Sequence, residues 1–482
     1  MIEDLKPYPA MKDSGVPWLG EVPAHWQVLP NRAVFGEVNE RDRPDAAMLS
    51  VTITRGVIRQ EALLEGSSKK DGSKLDKSAY KLVCPGDIAY NKMRAWQGAI
   101  GVSEYEGIVS PAYVVQRPRE GAAPRYLHYL LRTPAFAKEA ERWSYGITSD
   151  MWSLRPEHFK MIYSCLPPLP EQTAIVRFLD HADRRIRRYI RAKQKLIKLL
   201  EEQKQAIIHR AVTRGLDPDV RLKPSGVEWL GDVPEHWEVC RLKDVADVQT
   251  GLTLGKTYSG VATENFPYLR VANVQAGHLN LTNVKRIDVP RREAVGAMLR
   301  AGDVLMTEGG DIDKLGRGCV WRKEVPGCLH QNHVFAVRCR QHKLLPEFLV
   351  GLMGSQHGRA YFQLTAKQTT NLASTNSTTL RAFPIMLPVV EEQQAILDAI
   401  ETQTSDISKA VGSAKLEIEL LHEYRTRLIA DVVTGKLDVR EAAARLPDAA
   451  DEPEPLDEDV AETDAEDAAA DDADAATAAA EA

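Results

Sequence analysis

The chain has 482 residues, 44% of them hydrophobic and 27% charged, as is usual for a globular protein of about three domains. No apolar run approaches the roughly 18 residues that span a bilayer, and the first residues lack the apolar core of a secretory signal. Six scattered cysteines without a C-x-x-C pair indicate reduced thiols. Membrane, secreted and fibrous classes are excluded, and a cytoplasmic location is expected.

The net charge of −6 averages two unlike regions. Residues 446–482 contain fifteen Asp or Glu and no Lys or Arg, so residues 1–445 carry 62 basic against 68 − 15 = 53 acidic residues, a charge of about +9. A cationic body favours a polyanionic partner, most commonly nucleic acid, although it also fits a moderately basic protein without such a partner. The acidic segment 441–482 is predicted to be disordered.

An internal repeat organises the chain. Residues 12–28 read KDSGVPWLGEVPAHWQV and residues 223–239 read KPSGVEWLGDVPEHWEV, with twelve of seventeen positions identical at an offset of 211. A second match, at an offset of 221, pairs EQTAI at 171–175 with EQQAI at 392–396. The chain is therefore predicted to contain two copies of one unit.

The elements follow in the same order in each copy. A lead segment, 1–26, precedes a globular region, 27–166, rich in short alternating runs that predict a mixed α+β domain. A helix is predicted over 171–215, because no Pro or Gly interrupts residues 172–210. The second copy repeats this order, with its globular region at 236–388, its helix at 391–440 and the acidic segment at 441–482.

Both helices carry an apolar heptad stripe that requires a partner helix. The predicted d positions include Tyr189, Leu196 and Tyr424. The apolar a positions, expected to pair the two helices, are Leu179, Ile186, Leu200, Ile207, Ile400, Ile407, Leu421 and Leu428. The predicted fold is α+β: two mixed α/β domains separated by two long helices that form an antiparallel coiled-coil pair, with pseudo-twofold symmetry.

Several segments of the chain resemble a known protein family. SGVEWLGDVPEHWEVCRLKDVADVQTG is similar to the start of a target-recognition domain of type I restriction–modification specificity subunits, and LRAGDVLMTEGGDIDKLGRGCVW and HQNHVFAVR resemble its later strands and loops. YKLVCPGDIAYNKMRAWQGAIGVSEYEGIVSPAYVV and LPPLPEQTAIVRFL resemble the same family in the first copy. The resemblance extends to about Ala442.

The resemblance implies a recognition subunit that performs no catalysis. Each target-recognition domain would read half of a split target in double-stranded DNA, and the helices would set the unread gap. Modification subunits carrying S-adenosylmethionine would methylate adenine, and a restriction subunit that uses ATP and Mg²⁺ would translocate and cut DNA. The chain itself would bind no cofactor or metal and contact no membrane. The alternative is a single-chain restriction–methylation enzyme with its own catalytic site.

The residues offer no set of catalytic or metal-binding groups for that alternative. Gly251–Thr257 has three residues where a phosphate loop needs four between its glycines, and the lone Pro167-Pro168 pair lacks the context of a base-flipping methyltransferase loop. The cysteines and histidines of segment 319–342 lack a tight zinc-ligand pair, so ordinary strand packing is favoured.

Candidate DNA contacts are polar, cationic or aromatic residues in short segments, because such side chains pair with base edges in the major groove. The alternative is that the same groups cap turns. In the first copy the candidates are Asn91, Lys92, Arg94, Trp96 and Gln97. In the second copy they are Gln331, Asn332, His333, Lys367, Gln368, Thr369 and Asn371.

Overall fold

The computed structural model describes residues 5–64, 77–147, 151–227, 230–253, 255, 258, 260–310, 312, 315–368 and 373–447. The chain divides into two compact units. Unit 1 consists of Met1–Gln194 with Leu416–Ala482, and unit 2 is Lys195–Lys415. Each unit therefore contains one lead segment, one mixed domain and a part of each long helix. The acidic residues from 448 onward, predicted to be disordered, lie outside the described residues.

In unit 1 short strands alternate with short helices. The strands are Met11–Asp13, Glu21–Pro23, Gln27–Pro30, Phe35–Val38, Leu49–Thr52, Gly56–Arg59, Lys81–Val83, Ile88–Asn91, Ile100–Val102, Gly107–Val109, Tyr113–Pro118 and Tyr163–Leu166. The helices before the first long helix are Asn31–Val34, Glu61–Leu64, the 3₁₀ turn Ala95–Gln97, Pro124–Leu131, Pro134–Arg142 and Pro156–Phe159. The first long helix is Leu169–Arg214, which continues into unit 2.

Unit 2 has the same kind of alternation. Its strands are Leu222–Pro224, Asp232–Pro234, Glu238–Arg241, Ala246–Thr250, Glu264–Leu269, Lys285–Val289, Asp303–Thr307, Gly309–Gly310, Gly318–Val320, Leu329–His330, Val334–Cys339, Lys367–Gln368, Ala373–Ser374 and Pro384–Leu387. Its short helices are Leu242–Asp244, Val271–Asn273, Arg291–Gly296, Pro346–Gly354, Gln356–Thr365 and Ser377–Arg381. The second long helix is Val390–Val433, which continues into unit 1.

Each unit contains a four-stranded antiparallel sheet with the same order of strands. In unit 1 the order is Phe35–Val38, Tyr113–Pro118, Ile88–Asn91 and Ile100–Val102. In unit 2 it is Ala246–Thr250, Val334–Cys339, Asp303–Thr307 and Gly318–Val320. The two inner strands are buried on both faces, which explains their nearly continuous runs of apolar residues. The predicted repeat and mixed α+β class are therefore confirmed.

An ion pair with a buried carboxylate lies at the same place in both sheets. Arg117 donates two hydrogen bonds to Asp87, at 2.7 and 2.9 Å, and Asp87 is 2% exposed. Arg338 donates two to Asp303, at 2.8 and 2.7 Å, and Asp303 is 1% exposed. Such bidentate geometry satisfies both carboxylate oxygens, which a buried charge requires.

The start of the first long helix is held by the adjacent residues Glu171 and Gln172. The Glu171 carboxylate accepts hydrogen bonds from the Tyr8 hydroxyl at 2.7 Å and from the Trp26 indole at 2.9 Å, and His25 Nε2 lies 2.8 Å from it. A carboxylate in the first helical turn also interacts favourably with the helix dipole. The motifs VPxHW and EQ, recognised only as repeats, thus form one contact that fixes the lead segment to the helix.

The same contact recurs in unit 2. The Glu392 carboxylate accepts from the Trp237 indole at 3.0 Å, and His236 Nε2 lies 3.0 Å from it. Gln393 accepts from the Leu345 amide at 2.8 Å, as Gln172 accepts from the Ala123 amide at 2.7 Å in unit 1. Each long helix is therefore tied to the lead segment and to the mixed domain of its own copy.

The long helices pack against each other in antiparallel order within each unit. In unit 1, Lys193 Nζ lies 2.6 Å from Glu417, and Arg425 hydrogen-bonds to Asp183. In unit 2, Lys204 Nζ donates to Ser408 Oγ at 2.9 Å. Residue numbers on the first helix rise as those on the second fall, which confirms the predicted antiparallel pair.

The structure corrects the heptad register of these helices. Tyr189, Leu196 and Tyr424, predicted at d positions, are exposed. The seam of the first helix in unit 1 keeps the predicted a and d residues Ile175, Leu179, Ala182, Ile186 and Lys193 and takes Ile190 in place of Tyr189. Its five steps cover 18 residues, or 3.6 residues per step. This is the period of a straight α-helix, so a strict 3.5-residue assignment drifts away from the contact face.

The predicted pairing residues differ in burial. Leu179, Ile186 and Leu428 are buried, at 1%, 5% and 5% exposure. The remaining five are half-buried: Leu200, Ile207, Ile400, Ile407 and Leu421. This gradation follows from a helix pair with solvent on its outer sides, where only part of each seam side chain is covered.

The second long helix ends at Val433, seven residues before the predicted boundary at 440. Gly435 follows in the left-handed conformation, with φ of +79°, and a Cβ atom there would overlap Pro23. A short helix, Arg440–Ala444, then packs into the core of unit 1. Ala443 and Leu446 are buried, so the predicted disordered segment cannot begin at 441.

This packing distinguishes two truncations. Removal of all residues after Pro447 is expected to leave the urea midpoint of unfolding unchanged, whereas removal after Ala442 is expected to lower it, because Ala443 and Leu446 leave the core. The second truncation also deprives Arg177 of the Leu446 carbonyl, which accepts its hydrogen bond at 2.8 Å. Equal midpoints for both truncated chains would contradict the packing of residues 443–446.

Two buried histidines, His330 and His357, and the largely buried His128 predict destabilisation by acid. Burial lowers the pKa values of His128, His330 and His357, so their rings stay neutral in the native state. In the unfolded chain they bind protons below about pH 6.5, so the native state loses stability as the pH falls through that value. The urea midpoint should fall between pH 7 and pH 5.5. His330→Asn should weaken this pH dependence, whereas His278→Asn, at an exposed position, should not. Equal changes of the urea midpoint with pH in the two variants would refute the role of the buried histidine.

Candidate nucleic-acid interface

The segment 91–97 forms a tight turn after an inner strand of the unit 1 sheet. Asn91 is 2% exposed, and its Oδ1 accepts from the Met93 amide at 2.9 Å. Arg94 donates to Gln97 at 3.2 Å, and both side chains reach the surface. The structure therefore corrects the assignment of Asn91, whose side chain holds the turn and is not accessible to a base, while Lys92, Arg94 and Gln97 are at least partly exposed.

A second segment packs on this turn, and sequence reasoning missed it. The Trp96 ring meets the Trp152 ring edge to face, with centroids 5.5 Å apart. The Leu154 amide donates to the Lys92 carbonyl at 2.8 Å, and Tyr145 bridges to Ser153. Residues 145–147 and 151–153 therefore form one surface with the 91–97 turn. Tyr145, Ile147 and Met151 are exposed there, although apolar side chains of this kind are usual in a protein core.

Unit 2 contains the corresponding pair of segments. Strand Gly309–Gly310 pairs with Ala373–Ser374, which also pairs with Lys367–Gln368. Lys367 and Gln368 are exposed, as expected of groups that contact a ligand. Thr369 and Asn371 lie outside the described residues. At the offset of 221, residues 367–375 align in sequence with residues 146–154 of unit 1. The candidate residues of the two copies therefore lie in equivalent parts of the sequence.

The candidates Gln331, Asn332 and His333 lie in the turn before an inner strand of the unit 2 sheet. Gln331 Oε1 accepts from the Val271 amide at 3.3 Å, and Asn332 Nδ2 lies 3.4 Å from His333 Nε2. His333 Nδ1 lies 2.5 Å from Glu308 Oε2. The structure thus brings His333 to the segment that follows Thr307, and Glu308 joins the candidates as a residue that the sequence did not single out.

Three cationic side chains of unit 1, those of Lys81, Lys92 and Arg41, lie close enough for their charges to interact. Lys81 donates to the Tyr113 carbonyl at 2.7 Å. Burial and the charges of Lys92 and Arg41 lower the pKa of Lys81, while Glu37 opposes this effect. Several ammonium and guanidinium groups close enough to affect one another form the kind of field that attracts a polyanion.

The cysteines and histidines of segment 319–342 fit strand packing. Cys319, Cys328 and Cys339 are buried, and burial raises each pKa to about 12. His330 is buried and donates to the Val334 carbonyl at 2.7 Å. Among the described residues no group of three or more His, Cys, Asp or Glu side chains is placed to hold a metal ion. Positions 254, 256 and 257 of the glycine-rich segment lie outside them.

The part of the chain that the structure describes contains no helix long and apolar enough to cross a membrane.

The chain is similar to known proteins in sequence and in fold. Residues 234–417 match the family model of the type I restriction modification DNA specificity domain. The type I restriction enzyme MjaVIII specificity subunit of Methanocaldococcus jannaschii is 25% identical over 58% of this chain and 64% of its own length. The EcoKI specificity subunit of Escherichia coli K12 is 23% identical over 67% of this chain and 68% of its own.

The matches to curated relatives cover from 47% to 70% of those proteins' lengths. A chain from a structural study of complex assembly and conformational transition of the type I R-M system superposes with a TM-score of 0.60 and 18% identity. The match covers 86% of this chain and 99% of that one, and it supports the fold.

Residues 234–417 therefore belong to the type I restriction modification DNA specificity domain family. With the internal repeat, and with relatives whose matches extend over both copies, the chain is similar to the specificity subunits of type I restriction–modification systems. The resemblance recognised in the sequence is confirmed.

Proposed function

We propose that the chain is the sequence-specific DNA-binding specificity subunit of a type I restriction–modification complex. It reads a bipartite DNA target and directs adenine methylation or restriction by partner subunits. The observation that carries the proposal is the repeated surface. In unit 1 the segment 91–97 lies beside residues 145–147 and 151–153, and in unit 2 residues 308–310 lie beside 367–368 and 373–375. Two similar reading surfaces on one chain fit a target with two separate halves.

The long helices support partner binding. In unit 1 they expose Tyr189, Leu416, Leu420 and Tyr424, each at least 38% accessible. Apolar side chains exposed together along a helix pair are typical of a surface that another protein covers. We assign this surface to the modification subunits, which carry S-adenosylmethionine, and we assign ATP and Mg²⁺ to the restriction subunit. Both assignments rest on the family relationship.

The test uses methylation-sensitive sequencing of a host that produces this chain with its modification subunit. We expect methylated adenines within one bipartite sequence, and we expect this methylation to vanish in a host that lacks the chain. Methylation with no dependence on the chain would reject the proposal. The purified chain alone should transfer no methyl group from S-adenosylmethionine, whereas transfer would favour a single-chain enzyme.

A further inference from the structure

Lys92 and Glu308 occupy equivalent positions in the two copies. Leu154 donates its amide proton to the Lys92 carbonyl at 2.8 Å, and Thr375 donates to the Glu308 carbonyl at 2.8 Å. Leu154 and Thr375 are 221 residues apart, the offset of the repeat. Lys92 and Glu308 also each follow directly on an inner strand of the four-stranded sheet, which ends at residue 91 or 307.

The two equivalent side chains carry opposite charges. Both are partly exposed. The ammonium group of Lys92 lies near that of Lys81, and its charge, after burial, lowers the pKa of Lys81. The Glu308 carboxylate instead lies 2.5 Å from His333 Nδ1, which donates to Oε2 and fixes the orientation of the group. At this position unit 1 therefore has a hydrogen-bond donor, Lys92, and unit 2 has an oriented acceptor, Glu308.

Opposite hydrogen-bonding groups select different bases. A lysine ammonium donates to O6 and N7 of guanine, which present two acceptors in the major groove. A glutamate carboxylate accepts from the N4 amino group of cytosine. A side chain that only donates cannot read cytosine N4, and one that only accepts cannot read guanine O6.

We infer that residues 92 and 308 are corresponding specificity-determining positions, at which Lys92 selects guanine in one half-site and Glu308 selects cytosine at the corresponding base of the other. The inference rests on the proposed function. To that function it adds the identity of the base that residue 92 or 308 contacts. It also predicts that the two half-sites have different bases at this position, because the two side chains carry opposite charges.

The experiment uses the full chain assembled with its modification subunit and identifies methylated sequences across a genome. Glu308→Gln should replace cytosine by adenine at one base of one half-site, because an amide both donates and accepts, as adenine N7 and N6 require. Lys92→Gln should do the same to one guanine of the other half-site. Discrimination against the original base should change about tenfold or more, and the untouched half-site should stay the same.

Matched controls are Lys138→Gln in the first copy and Glu235→Gln in the second, which remove the same charges from exposed positions outside the segments 91–97 and 308–310. Neither should alter the methylated sequence. If Lys92→Gln slows methylation at every site and the sequence stays unchanged, Lys92 contacts phosphate and the inference is wrong. Unchanged half-sites in both variants also overturn it, while the wild-type complex continues to support the proposed function.

Discussion

Asp303→Ala is expected to reduce the free energy of unfolding of unit 2 by about 3–5 kcal/mol, because it leaves the Arg338 guanidinium without its partner in a largely buried site. The change also removes the acceptor of the Arg300 amide, which donates to Asp303 at 2.8 Å. The urea midpoint, followed with amide hydrogen exchange of strand Asp303–Thr307, measures the loss.

Two comparisons make this prediction specific. Asp247→Ala breaks an exposed pair with Arg340 and should cost less than about 1 kcal/mol. Asp87→Ala should cost less than Asp303→Ala, since the Arg117 side chain is 46% exposed and that of Arg338 is 29% exposed, so water screens the first pair more. Similar midpoints for Asp303→Ala and Asp247→Ala would show that the buried pair contributes no more than a surface one.

Trp26→Ala should be similarly severe in unit 1, with a loss of about 3–5 kcal/mol. Trp26 has no exposed surface, meets Tyr8 and Tyr126 edge to face, and donates to Glu171. Its removal opens a cavity where the lead segment, the mixed domain and the start of the first long helix meet. Hydrogen exchange of residues 5–30 and 169–178 should increase, and the urea midpoint should fall.

Trp26→Phe serves as the matched control. It keeps most of the ring volume and removes the indole hydrogen bond to Glu171, so it should cost only about 1–2 kcal/mol. The Tyr8 hydroxyl still donates to that carboxylate. Equal losses for Trp26→Phe and Trp26→Ala would assign the stability to the hydrogen bond and contradict the packing argument.

Large elements were predictable because their signals are local or duplicated. Both long helices follow from uninterrupted apolar periodicity, and the repeat follows from direct identity. The heptad register was not predictable to the residue, since periods of 3.5 and 3.6 diverge by only a fraction of a residue per turn. Tyr189 and Leu196 therefore look like seam residues in sequence and are exposed in the structure.

The proposed reading surfaces were only partly predictable from the sequence. Polar composition identified Lys92 and Lys367, but it could not pair them with segments distant in sequence. The hairpin that contains Tyr145 was missed because its exposed residues are apolar. Alignment of the two copies at an offset of 221 carries the signal, because it places residues 146–150 on Lys367–Asn371. Glu308 could be found only in the structure, through its contact with His333 and its equivalence to Lys92.

The boundaries of the two compact units do not coincide with those of the two sequence copies. Unit 1 takes its second helical part, Leu416–Val433, from the second copy, and unit 2 takes residues 195–214 from the first. A protein with a single copy would therefore bury its seam only by exchanging helix ends with another chain, as in domain-swapped dimers. The covalent link between the two copies replaces such an encounter between two chains and removes the concentration dependence of assembly. It also allows each copy to carry different residues at equivalent positions, as the opposite charges of Lys92 and Glu308 illustrate.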